Sequence, residues 1–226
     1  MFSEYLTDVL RVVSSSLQIP TVIILLLLIL GTIVLIGMFA AEFFTERKSL
    51  KVDIPKLIDE MQDKTSAQLE DVVEKSGLLK RQKEAVRKLL KRIKYPDNTR
   101  EALARQLIAD EEARYQKIVK ITDLIARVAP MFGLMGTLIP LGPGLIALSQ
   151  GDTSTLSESL LIAFDTTVAG LITATIAYVI SGIRKGWYEK YMTGLETIME
   201  TVLEEQEIER RKAYAALKAK KAQEVQ

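Results

Sequence analysis

The chain has 226 residues, with 30 Lys and Arg against 29 Asp and Glu and no His or Cys. A near-neutral charge gives no general pull toward nucleic acid, and without imidazole or thiol groups His- or Cys-ligated metal sites, Ser-His and Cys-His nucleophile pairs and disulfides are excluded. Neither Gly-x-x-x-x-Gly-Lys-Ser/Thr nor Gly-x-Gly-x-x-Gly occurs, so nucleotide hydrolysis and bound cofactors are not expected, and energy for any work must come from outside the chain.

Residues 1–18 place Phe2, Tyr5, Leu6, Val9, Leu10 and Val13 at helical spacing opposite Ser3, Glu4, Thr7, Asp8 and Arg11. That pattern predicts a short amphipathic helix lying on a membrane surface. A charged n-region and a small-residue cleavage site are missing and the next apolar run is long, which points away from a cleavable signal peptide. The run, residues 19–44, is almost all Ile, Leu and Val, broken only by Gly31, Thr32 and Gly37. It predicts a first membrane span, the most lipid-facing of three, with Pro20 tolerable in its first turn.

Residues 45–127 turn to Glu, Lys, Leu and Ala, with breaks at Pro55, Ser76-Gly77 and Tyr95-Pro96-Asp97-Asn98. Thr65 with Gln68, and Asn98 with Glu101, are helix-start signals. Several amphipathic helices are expected, the last running into the second span with a packing stripe of Leu103, Leu107, Ile108, Tyr115, Ile118, Ile121, Leu124 and Ile125. Lys80 to Lys94 is the most basic run, with Glu84 its only acid. Such a run is usually a solvated helix face; anionic headgroups are a second reading, and nucleic acid is not expected as a partner because no aromatic platform accompanies it.

Two further apolar runs, residues 128–148 and 156–183, flank a polar turn at 149–155. Each is long enough to cross a hydrocarbon core of ~30 Å at about 1.5 Å per residue. Together they predict a membrane hairpin. Its arms are rich in small and hydroxyl residues: Gly133, Gly136, Thr137, Pro140, Pro143 and Gly144 in one, Asp165, Thr166, Thr167, Gly170, Thr173 and Thr175 in the other. Residues 184–226 continue as a helix with Tyr191, Leu195, Ile198 and Val202 in register, and 204–226 has too little apolar content to pack, so fraying is expected there.

Basic residues near the span ends set an orientation. Arg47, Lys48 and Lys51 follow the first span, Arg114, Lys117, Lys120 and Arg127 precede the second, and Arg184, Lys185 and Lys190 follow the third, while the hairpin turn has none. By the positive-inside rule the N-terminus is outside, and residues 45–127 and the C-terminus are cytoplasmic.

The hairpin residues carry two readings. Ala163, Thr166, Gly170, Thr173 and Ala177 form one stripe at helical spacing, as do Gly133, Gly136, Thr137, Pro140 and Gly144. One reading is close helix packing, in which small residues let backbones approach and a threonine bonds its own helix. The other is a partly hydrated lining where Thr137, Thr166 and Thr167 meet a cation or water. Asp165 lies within the third span, where an ionised carboxylate costs about 2.5–3.5 kcal/mol, so it is expected to face protein, pair, bind a cation or be protonated. Glu158 is accounted for by a capping box with Thr155. Pro140 and Pro143 remove two helical donors, which either kinks the helix for packing or opens a break that lines something wet.

With these residues in place the chain resembles the MotA/TolQ/ExbB proton-channel family, in its three-span TolQ/ExbB form. Ala129-Pro130-Met131-Phe132-Gly133-Leu134-Met135-Gly136-Thr137 is similar to the family's A-P-x-x-G-L-x-G-T, and Ala163-Phe164-Asp165-Thr166-Thr167-Val168-Ala169-Gly170-Leu171 to its A-L-x-x-T-x-x-G-L. The resemblance implies an all-α membrane protein, three transmembrane helices extended by long cytoplasmic helices, that forms a homopentameric ring around a dimer of single-span partner subunits. Each partner brings a membrane aspartate, and H⁺ or Na⁺ flow turns the ring. It implies Thr137 and Thr167 as partner-facing hydroxyls and Pro130 as a hinge. The sequence departs from the pattern at Ile162, where ExbB-type members have a glutamate, and at Pro140, Gly142 and Pro143. From another class, the same residues also suit a non-conducting membrane scaffold that clusters partners through its cytoplasmic helices.

Overall fold

The computed structural model describes residues 2–46 and 52–224. Arg47, Lys48 and Lys51, used above for orientation, lie outside the described residues. So do the side chains of Phe2, Ser3, Glu4, Thr7, Asp8, Leu10 and Arg11. The described chain is almost wholly helical: α1 (Phe2–Ser16), α2 (Gln18–Glu46), α3 (Ile54–Met61), α4 (Ser66–Lys75), α5 (Lys80–Leu90), α6 (Asp97–Ser149) and α7 (Thr153–Glu224). No strand occurs among the described residues. Three helical stretches, Val12–Thr45 (the end of α1 with α2), Asp97–Ser149 in α6 and Thr153–Lys220 in α7, are long and apolar enough to cross a membrane.

Two compact units divide the chain, Met1–Ala41 with Ile118–Arg184, and Glu42–Lys117 with Lys185–Gln226. In the second, charged unit, local signals set the short helices. Asp53 caps α3 by accepting from the Lys56 N–H at 3.3 Å, so Pro55 sits in the first turn and starts this helix instead of breaking one. Gln68 accepts from the Thr65 N–H at 3.0 Å, closing the start of α4. Helix α6 begins at Asp97, one residue ahead of the expected Asn98 cap, with Thr99 and Arg100 N–H groups on the Pro96 carbonyl.

The inner faces of these helices meet α7 in one core that includes Leu57, Met61, Leu69, Val86, Leu89, Leu195, Ile198, Met199 and Val202. Polar ties lock it. Gln82 donates to the Tyr191 carbonyl at 2.9 Å, and Gln206 donates to the Leu90 carbonyl at 3.1 Å while accepting from Arg100 at 2.8 Å. The Arg100 hydrogen bond, with Arg210 beside it, holds the Asp97 carboxyl below the usual carboxylate range. Fraying from Glu204 onward is not what the structure has: α7 stays helical to Glu224. Glu205 and Gln206 are buried, and Gln206 ties α7 to both Arg100 and Leu90, so polar contacts pack the start of this stretch, while residues 211–220 are exposed as their composition implies.

In the first unit α2 packs through Thr21, Leu25, Thr32 and Leu35, all buried, while Leu26, Leu27, Leu30, Ile33 and Val34 face outward. Only 17% of its most apolar stretch is buried, against 28% in each of the other two long helices, so α2 is the most outward-facing of the three. Tyr5, Leu6, Val9, Val12 and Val13 of α1 are exposed.

The hairpin turn is tighter than residues 149–155. Helix α6 ends at Ser149 and α7 starts at Thr153, with Gly151 at φ 84°, a left-handed conformation glycine adopts without penalty. Asp152, not a Thr155–Glu158 box, caps α7: it accepts from the Ser154 and Thr155 N–H groups, each at 3.1 Å, and from both hydroxyls. Those hydroxyls, Ser154 first, pull its carboxyl down to about 2.

Candidate functional site

The two small-residue stripes face each other. Gly133, Gly136, Pro140 and Gly144 of α6 are buried, and so are Ala163, Thr166, Gly170, Thr173 and Ala177 of α7. A methyl placed on Gly170 would stand 2.8 Å from the Ala129 carbonyl oxygen and 2.9 Å from Gly133 Cα. On Gly136 it would stand 2.7 Å from Thr166, and on Gly144 it would stand 3.0 Å from Ser159. These three contacts run antiparallel, so Thr137 stands at the level of Thr166 and Thr167. At Gly170 and Gly133 glycine is required because the backbones themselves touch, while at Gly136 and Gly144 it leaves room for the Thr166 and Ser159 side chains.

The hydroxyls divide by burial. Thr166 and Thr173 are buried at 8% and 4% exposure, inside the seam, whereas Thr137 and Thr167 are half-buried at its edge. At about 100° per residue, both edge threonines fall on the same side of the hairpin. Each donates to its own helix, Thr137 to the Leu134 carbonyl at 2.6 Å and Thr167 to the Ala163 carbonyl at 3.0 Å. Thr166 does the same toward Ile162 and Ala163 at 2.9 and 3.1 Å. With the hydrogen committed, each edge oxygen keeps lone pairs that accept from water or hydronium or bind a cation.

The prolines do not break α6, which is helical through Pro130, Pro140 and Pro143. Lacking an N–H, Pro140 leaves the Gly136 carbonyl without its helical donor, at the level of the threonines. That adds a backbone acceptor to the same zone. Pro140 is buried in the seam and Pro143 is exposed, while Pro130 follows Ala129, whose carbonyl meets Gly170.

Asp165 is exposed in this chain and is not brought together with the threonines. It precedes Thr167 by two residues, so the two side chains leave α7 in nearly opposite directions, about 160° apart. Its helical neighbours on that face are Leu161, Ile162, Val168 and Ile172, all exposed.

One cluster is marked by no sequence motif. Near the far end of the hairpin from its turn, the Ser181 hydroxyl donates to Asp123 at 2.5 Å, and Arg184 reaches Thr122 at 3.5 Å and lies 5.9 Å from the Phe39 ring centre. Thr122, Ser181 and Arg184 are 0–1% exposed. Arg184, read above as a flanking charge for orientation, is therefore a buried structural cation. Asp123 and Ser181 are 58 residues apart with no motif around them; a carboxylate inside the apolar stripe from Ile118 to Ile125 was the one available hint.

No curated protein matches the chain. Residues 66–197, more than half of it, match the model of the MotA/TolQ/ExbB proton channel family; the match takes in the whole hairpin with both threonine motifs and leaves out α2. By that match, and by its three membrane-length apolar helices, this multi-pass membrane protein belongs to the MotA/TolQ/ExbB proton channel family.

Proposed function

We propose that the chain is the ion-conducting subunit, for H⁺ or Na⁺, of an ion-driven cell-envelope motor. Five copies surround a dimer of single-span partners, each with a membrane aspartate, and ion flow past the partners turns the ring. One observation carries this reading: the seam between α6 and α7 consumes the glycines and leaves Thr137 and Thr167 half-buried, level and on one side. Those two oxygens, with the Gly136 carbonyl, are the acceptors a partner carboxyl would exchange ions with. The outward-facing α2 supports a ring with the hairpin inside and α2 on the lipid side.

Asp165, on the other flank, meets a neighbouring copy, where it pairs or holds a cation. The N-terminus is outside and the charged unit cytoplasmic, on the strength of Arg114, Lys117, Lys120 and Arg127 before the second span and Lys185 and Lys190 after the third. Moving one charge through ~100 mV supplies about 2.3 kcal/mol, so a few ions suffice for a rotation step. The test is gradient-driven flux in liposomes holding the chain with its single-span partner. Thr137→Val and Thr167→Val each abolish flux and leave the assembly intact; unchanged flux in both removes the hydroxyls from the mechanism and favours a non-conducting scaffold.

A further inference from the structure

The charged unit has two faces of opposite sign. From Lys80 to Lys94 eight Lys and Arg accompany one Glu, and from Tyr191 to Glu209 six Glu accompany no Lys or Arg. On α5 the buried residues are Gln82, Ala85, Val86, Leu89 and Leu90. Lys80, Arg81, Arg87 and Lys88 are exposed on its other side, with Lys91 and Lys94 exposed in the turn that follows. On α7, Tyr191, Leu195, Ile198 and Val202 are buried. Glu189, Glu196, Glu200 and Glu204 form an exposed ridge about 160° around the helix at 100° per residue.

Neither face is neutralised by ion pairs among the described residues. Among the described residues no ion pair is made by Lys80, Arg81, Arg87, Lys88, Lys91 or Lys94, nor by Glu196, Glu200 or Glu204. Because α5 and α7 pack by their inner faces, tied by Gln82 to the Tyr191 carbonyl and by Gln206 to the Leu90 carbonyl, the two charged faces look out from opposite sides of one body. Their lengths agree. Lys80 to Lys88 covers ~12 Å of helix before the turn adds two more cations, and Glu189 to Glu204 covers ~22 Å.

We propose that copies of the chain dock head to tail through these faces, the basic side of α5 in one copy lying on the glutamate ridge of α7 in the next. Opposite, complementary faces on one unit generate a heterologous contact, which closes into a ring when the rotation allows. A basic face alone would suit anionic headgroups equally well. The unpaired acidic ridge of similar length on the opposite side is what selects a second copy, since an anionic leaflet would repel it. The inference rests on the ring reading only in that copies must assemble.

The absence of native cysteine makes the test clean. Full-length Arg87→Cys/Glu200→Cys chain in lipid nanodiscs is treated with a short bis-maleimide. Multimers beyond the dimer are expected, with none from either single variant. Arg87→Glu/Lys88→Glu/Lys91→Glu weakens association about tenfold, as does Glu196→Lys/Glu200→Lys/Glu204→Lys, and joining both sets in one chain restores it. Assembly without the 87–200 link overturns this contact while leaving the ring standing. A wild-type monomer in nanodiscs overturns both. A basic-face variant that assembles normally but no longer binds anionic vesicles assigns that face to lipid and overturns the contact.

Discussion

Gly170→Ala tests whether the α6–α7 seam is as close as described. The added methyl would stand 2.8 Å from the Ala129 carbonyl oxygen and 2.9 Å from Gly133 Cα, where ordinary contact begins at 3.4 Å. Both obstacles are backbone, so no rotamer change relieves them. The helices must part by roughly half an ångström, and overpacking of this kind costs about 1–3 kcal/mol. Alanine returns at most about 1 kcal/mol of helix propensity, so the net change is a loss. Parting the helices also loosens the Gly136–Thr166 and Gly144–Ser159 contacts. Gly182→Ala is the control, since nothing lies within 4 Å of its added methyl. Unfolding of the purified chain in detergent, followed by helix circular dichroism, gives the comparison: Gly170→Ala unfolds earlier than wild type and Gly182→Ala does not. Gly170→Ala at or above wild-type stability would refute the close seam.

Three further outcomes follow from particular contacts. Ser181→Ala removes a buried hydrogen bond to a carboxylate and costs about 1.5–3 kcal/mol in the same unfolding assay, while Thr175→Ala, at an exposed hydroxyl, costs far less. Gln206→Leu deprives both Arg100 and the Leu90 carbonyl of a partner, lowering stability by about 2–3 kcal/mol; a neutral result would remove that tie from the account of why α7 stays ordered past Glu204. The Asp152 cap has a depressed carboxyl, so its contribution is complete above about 3.8 and is lost as pH falls through about 2. Amide exchange at Ser154 and Thr155 should therefore stay slow down to that pH in wild type and follow no such transition in Asp152→Asn.

How much was legible in the sequence follows from the range of the interactions. The two small-residue stripes were readable because each is a one-helix period, and the structure buries Gly133, Gly136, Gly144, Ala163, Thr166, Gly170, Thr173 and Ala177 against one another. Which threonines fall inside the seam and which at its rim was not readable, because it depends on where a partner helix ends its cover: Thr166 is buried and Thr137 and Thr167 are half-buried. The family was reachable through local motifs. The cluster of Thr122, Asp123, Ser181 and Arg184 was not, since it joins positions that only the hairpin brings together. The prolines misled in one respect: a helix tolerates lost donors when packed neighbours fix its path, so α6 runs through all three. The start of the stretch after Glu204 misled in another, because composition counts apolar side chains and misses a single glutamine that satisfies two buried partners, whereas residues 211–220 are exposed as composition implied.

The central claim is that the rim threonines face a central partner while α2 faces lipid. Its most direct test uses the cysteine-free chain with Thr167→Cys, co-expressed with its single-span partner carrying one cysteine beside the membrane aspartate, under mild oxidation in native membranes. A disulfide to the partner from Thr167→Cys, and none from Leu30→Cys on the outer face of α2, is the predicted result. Partner linkage from Leu30→Cys with none from Thr167→Cys would contradict it.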